Sequence, residues 1–321
     1  MAFDSHAESL SYLAPVPSAS LRALLCGSID YAGLFPPASL TLEPALRNHA
    51  AYVRSPDAWM LGAFILPTAK FEETAANLSQ FDAANRLRIS ALGARPDKPS
   101  NFAPALAAAK NAIVGFKAQH GESASVEQFE MPLPRRPEHA LIDQADAALA
   151  GLKLATFWES PADDAERAIE LLAQHNAKSG TGVFGYKLRT GGVIASAFPS
   201  SIQIARALVA VAKHRVPIKF TAGLHHPVRQ FHASVQTKMH GFLNVLGAGV
   251  LAAEHGWDQQ QIVTMLEDED ASSFVFTGDS FSWCEWKVGT ESIARGRKLV
   301  TSLGSCSFDE PRDDLRALKL L

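Results

Sequence analysis

The sequence predicts a (β/α)8 TIM-type barrel, distorted or incomplete, with helical additions at both ends. Three observations predict it. From Trp59 onward short apolar runs alternate with longer amphipathic ones, the pattern of βαβ units in a parallel sheet. Successive runs lie about 30 residues apart, the length of one such unit. Within the later runs apolar and polar residues alternate. That suits a closed barrel with helices outside and polar groups at its mouth better than an open sheet buried on both faces. A chain of 321 residues fits one barrel domain.

Residues 1–56 read as a mostly helical N-terminal extension. A helix from Ser18 to Ile29 runs into DYAGLFPPASL, where Pro36 and Pro37 force an extended break. The loop from Asp30 to Pro37 reads as a turn that packs the helices, or as a lid over one barrel end. Thr41 caps a second helix with Glu43 in its first turn. The barrel is assigned to residues 57–288, with strands at 59–67, 87–94, 124–134, 153–160, 183–191, 217–226 and 273–279. Amphipathic stretches between them carry Asn, Asp or Ser near their starts and Gly near their ends. An eighth strand is not evident; the stretch from Ala23 to Asp30 could supply a first one. After 226 comes a functional loop, a buried helix from Gly241 to His255 and another helix at 258–268. Residues 289–321 read as a C-terminal helix near 289–303 and a surface tail with a short helix.

Composition narrows the function. A net charge of −3 gives no reason to expect a nucleic-acid partner. The most apolar run, from Phe242 to Ala253, is shorter than the ~20 residues of a spanning helix, so no membrane partner is expected. Three separated cysteines form no CxxC pair, which points to a reducing compartment; Cys284 and Cys306 read as buried or inert. The N-terminal stretch lacks a basic region followed by an apolar core, so no leader is expected and the location reads as cytoplasmic. No Walker or Gly-x-Ser-x-Gly pattern occurs. The expected partner is a small-molecule substrate; the oligomeric state is left open.

Two consecutive strands, VFGYKLRTG and PIKFTAGLHH, each carry one lysine. Their alternation puts Gly185, Lys187 and Arg189 inward on the first, and Lys219, Thr221, Gly223 and His225 inward on the second; Phe184, Tyr186, Leu188, Ile218, Phe220, Ala222 and Leu224 face out. An unpaired buried ammonium is costly, so the lysines either pair with Glu127, Glu130 or Glu159, bind an anion, or do chemistry. A second cation nearby lowers the pKa of a lysine and frees its amine to attack a carbonyl. Lys187 is then the nucleophile, Lys219 the neighbour that lowers its pKa, and Glu130 or Glu127 the proton relay. The phase of the 124–134 strand is open between the two.

YKLRTGG, IKFTAGL and VEQFEMPLP together resemble the class I aldolases of the deoxyribose-phosphate aldolase type across residues 124–224. The resemblance implies a Schiff-base lysine at Lys187, a second lysine at Lys219 and an acidic strand at Glu127 and Glu130. The chain departs from that pattern at Arg189, where the family has a small residue, and at HHPVRQFH, where it has a glycine-rich phosphate loop. DYAGLFPPASL with TAGLHHP also resembles a group of uncharacterised bacterial proteins, a resemblance that implies no activity.

Arg189 with Gly191 and Gly192 can hold an anion, because glycines let backbone N–H groups approach it. Thr221, His226 and Glu159 complete the expected substrate contacts. His225 or His226 suits general acid–base work. No cofactor is called for. An alternative sets a divalent metal on His225 with Glu130 or Glu159, giving an isomerase or hydrolase, although no HxH or HExxH spacing is present. The leading expectation is a lyase of aldolase type acting on a small anionic carbonyl or sugar-like substrate. A non-catalytic ligand-binding barrel is the third reading.

Overall fold

The computed structural model describes residues 16–179 and 183–321. The N-terminal stretch 1–15, where no leader is expected, lies outside them. Eight parallel strands close into a barrel whose order around the ring follows the chain. They are β1 (Ile29–Tyr31), β2 (Leu61–Pro67), β3 (Leu87–Leu92), β4 (Ala124–Pro132), β5 (Ala155–Glu159), β6 (Phe184–Arg189), β7 (Ile218–Thr221) and β8 (Val300–Ser305). The TIM-type fold class is therefore correct, and the barrel is complete.

Two of its strands come from the stretches taken as additions to a 57–288 barrel. Ile29–Tyr31 is three residues long and follows directly on the helix Ala19–Leu25, too short to show a period. Val300–Ser305 replaces the second half of the helix expected near 289–303, which ends at Gly296. Its inward residues are small: Ser302 bonds Asp30 at 2.7 Å, and a Cβ at Gly304 would lie 3.2 Å from Ile65. The expected strand 273–279 is not in the barrel. Phe274–Phe276 pairs antiparallel with Ser280–Trp283, which pairs with Trp286–Gly289, in a small separate sheet. The loop after β7 also forms a hairpin, Gln230–His232 with Thr237–Met239.

The outer layer contains the helices Leu42–Tyr52, Phe102–His120, His139–Leu149, Ala165–Lys178 and Ser201–His214. The last has a capping box made by Ser200 and Gln203, which satisfies two orphan N–H groups reciprocally. It belongs to a stretch, Ala195–His214, long and apolar enough to cross a membrane by length and composition alone. Its Ile204, Leu208 and Val211 are buried in the core. The helix Phe242–His255 is buried along most of its length.

The outward residues Tyr186, Leu188, Ile218 and Phe220 are all buried beneath the helices, as their alternation predicts. The chain leaves this alternation after Thr221: Ala222 and Gly223 take left-handed φ values of 63° and 77°. Ala222 lines the mouth cavity and does not continue the outward face.

Candidate functional site

The register of the strands assembles a polar layer inside the barrel. Glu159 of β5 pairs with Lys187 of β6, and Lys187 with Lys219 of β7. On the other side the β3–β4 pairing slips: Ile89 faces Val126, whereas Ser90 faces Gln128. Glu127 is the extra residue of that bulge. The bulge sets the phase, with Gln128 and Glu130 inward and Glu127 outside, where it meets Arg88 at 2.9 Å. Glu127 is therefore no part of the site.

Glu130 is fully buried and lies between the two lysines. Its Oε2 is 2.8 Å from Lys187 Nζ, and its Oε1 contacts Lys219 Nζ and accepts a hydrogen bond from Ser90. Lys219 also touches Asp30 Oδ2 at 2.8 Å and donates to Gln128 at 2.7 Å and Ser90 at 3.3 Å. Asp30 is held in turn by Ser302 and by the Ala63 N–H at 2.6 Å. Gly62 permits this: a Cβ there would lie 2.2 Å from Asp30 Oδ1. Asp30 was passed over in the sequence because it opens the loop-like stretch that runs to Pro36 and Pro37.

The two lysines differ in their bonding. Lys219 is wholly buried and its donors are engaged. Lys187 meets Glu130 and, at 3.0 Å, Glu159, but Glu130 Oε2 receives no aligned hydrogen bond among the described residues. Burial disfavours the Lys187 ammonium, but Glu130 and then Glu159 outweigh burial and raise its pKa above the ordinary value. This corrects the expectation that Lys219 would lower it, because Glu130 intervenes between the two cations. Burial likewise works to raise Glu130 and Glu159; the lysines outweigh it and hold both carboxyls below their usual range, with Arg95 and Arg189 adding to the effect at Glu159.

Above this layer opens a cavity of about 280 Å³ at the C-terminal ends of the strands, where barrel enzymes carry their sites. Lys187 and Glu159 form part of its lining, whereas Lys219 and Glu130 do not reach it. Arg189, Gly192, Thr221 and His225 line it too, with Phe35, Pro36 and Pro37 of the N-terminal loop as one wall. That loop therefore contributes to the mouth. Arg95, missed in the sequence, holds Glu159 Oε1 at 2.7 Å. Gly191 lies behind the lining, where a Cβ would come within 2.7 Å of both Phe198 and Gly223.

The histidines follow the end of β7, so they do not alternate as strand residues. His225 Nδ1 is 3.0 Å from Glu310 and 3.8 Å from Cys306. Burial disfavours the imidazolium, but Cys306 and Glu310 outweigh it and raise its pKa to about 9. His226 is drawn away to Asp314 at 2.7 Å and stacks on His232; it is absent from the cavity lining. Glu310 and Asp314 both come from the tail helix Asp309–Ala317. The metal alternative needs His225 with Glu130 or Glu159, yet no cluster of three or more His, Cys, Asp and Glu side chains suited to a metal forms among the described residues. Cys306 is buried against the cavity, while Cys284 is exposed.

No protein-family model matches the chain, and no curated protein matches it.

Proposed function

We propose that the protein is a cytoplasmic lyase of aldolase type that acts on a small anionic carbonyl or sugar-like substrate through Lys187. The observation that carries the reading is Lys187 itself: a buried lysine on the floor of the mouth cavity, between Glu130 and Glu159. Arg189 at the rim has no carboxylate partner among the described residues and suits the substrate's anionic group. The resemblance to deoxyribose-phosphate aldolases agrees with a strand lysine in this role.

Lys187 rests as an ammonium, so the reaction begins with a proton transfer. Glu159 is the acceptor of choice, because it alone of the two carboxylates faces the cavity. The free amine adds to the carbonyl carbon, water leaves and an iminium forms. Glu159 gives its proton to the departing water and then takes one from the β-hydroxyl; the bond between the α and β carbons breaks, its electron pair moving toward the iminium nitrogen as the β carbon leaves as a carbonyl. Glu130 stays behind as fixed negative charge that stabilises the cationic intermediate. A second reading is favoured by the raised pKa of Lys187: the lysine remains charged and polarises the carbonyl while Glu159 removes a proton from carbon. The test is turnover of a panel of small hydroxy-keto acids and sugar phosphates. Lys187→Met should abolish cleavage; activity that survives this change removes Lys187 from the chemistry.

A further inference from the structure

The cavity has a second polar anchor that the lysine chemistry does not use. His225 is 8% exposed and lines the cavity. Its Nδ1 is taken by Glu310 and Cys306, but its Nε2 has no hydrogen-bond partner among the described residues. With Nδ1–H directed to Glu310, the protonated ring presents Nε2–H as a charged donor. No protein acceptor meets this donor among the described residues, so an anionic group that enters the cavity there gains a charge-assisted hydrogen bond.

The other anchor is Arg189, at the end of β6 and beside Gly192, where a Cβ would stand 3.7 Å from Nη2. The Arg95–Glu159 pair lies on the β5 side of it. His225 follows β7, and its contact Cys306 follows β8. Lys187 projects from β6 beneath them. Ile65, Leu92, Pro132 and Phe35 supply apolar lining, fit to hold a carbon skeleton. A ligand with one anionic end satisfies only one anchor.

We infer that the cavity takes a carbonyl compound with two anionic groups, carboxylate or phosphate, one held by Arg189 and the other by His225 Nε2. The inference rests on the reading of Lys187 as the residue that meets the carbonyl.

Calorimetric titration of the full chain tests it. Succinate and glutarate are compared with butyrate and valerate, which match them in length but carry one charge, and 3-phosphonopropionate is set beside succinate to tell phosphate from carboxylate. The dianions should bind at least about tenfold more tightly, the scale of one charge-assisted hydrogen bond. His225→Asn, whose amide can keep the Glu310 contact but not reach the Nε2 position, should erase the advantage. His225→Gln, whose amide reaches that position, should keep part of it. Equal affinity for mono- and dianions, or a full advantage in His225→Asn, overturns the inference. Trapping of Lys187 by borohydride is read separately. An adduct without a dianion advantage overturns the inference and spares the lysine reading. A dianion advantage without an adduct supports the two-anion cavity and overturns the lysine reading.

Discussion

Lys187 Nζ lies 2.8 Å from Glu130 Oε2, and the other oxygen of that carboxylate is occupied by Lys219. One buried anion thus stands between two buried cations, with Asp30 and Glu159 on the outer sides. The chain from Asp30 through Lys219, Glu130 and Lys187 to Glu159 alternates in sign across the barrel, so each charge meets an opposite one.

Glu130→Gln should be among the most damaging substitutions in the chain. It leaves both lysines short of a counter-charge, and breaking a buried pair from one side costs ~3–5 kcal/mol. Urea unfolding reads this as a fall in the midpoint at constant slope. An unchanged midpoint would mean that Glu130 contributes no net stabilisation.

Gly62→Ala should disturb the same layer through packing alone. The new methyl meets Asp30 Oδ1 at 2.2 Å, so Asp30 must leave the Ala63 N–H or β2 must shift, at a cost of ~1–3 kcal/mol. Thermal unfolding measures it, and a melting temperature equal to that of the parent chain contradicts the close approach.

Glu159→Gln should separate the charge of Lys187 from turnover. Glu159 is one of two carboxylates that raise the lysine's pKa, so its loss lowers that pKa, and a tenfold change in acidity makes about tenfold more free amine at fixed pH. Imine formation and cleavage should nevertheless both slow at pH 8, because the cavity-facing acceptor of the lysine's proton is gone. Faster imine formation in this variant would show that the field of Glu159 on Lys187 outweighs its part as proton acceptor.

The His225–Glu310 pair should make stability depend on pH. The folded pKa of His225 is raised to about 9 from 6.5, so its contribution is full below 6.5 and lost as pH rises through 9. Glu310 is lowered from 4.5, chiefly by its hydrogen bond to His225; its share is present above 4.5 and lost as pH falls through its folded value. Glu310 is partly exposed, so the pair contributes on the order of 1–2 kcal/mol. Denaturant titrations from pH 6 to 10 should show the decline in the parent chain and a flatter profile in Glu310→Gln. Parallel profiles would sink the assignment.

Much of the fold was legible because six strands from β2 to β7 are bounded by amphipathic helices with clear starts. The site was legible where period 2 applied, as at Lys187, Lys219 and Thr221. It failed where the backbone departs from that period. The bulge at Glu127 shifts the phase of β4, and only the pairing with β3 reveals it. β1 and β8 carry Asp30, Ser302 and Gly304 inward, so the residues that seat the polar layer removed the apolar signal that marks a strand. His226 looked equivalent to His225 in sequence, but Asp314 on the distant tail helix claims it. Arg95 gave no signal at all, because its role comes from reaching across β4 to Glu159.

Borohydride reduction in the presence of small anionic aldehydes and ketones, followed by peptide mapping, tests the central claim most directly. The account predicts one reduced adduct, on Lys187 and not on Lys219, which lies sealed beneath Glu130. Trapping should accelerate as pH rises, since the two carboxylates keep the lysine charged at neutrality. No adduct on Lys187 with any carbonyl across that range, or an adduct on Lys219 instead, would contradict it.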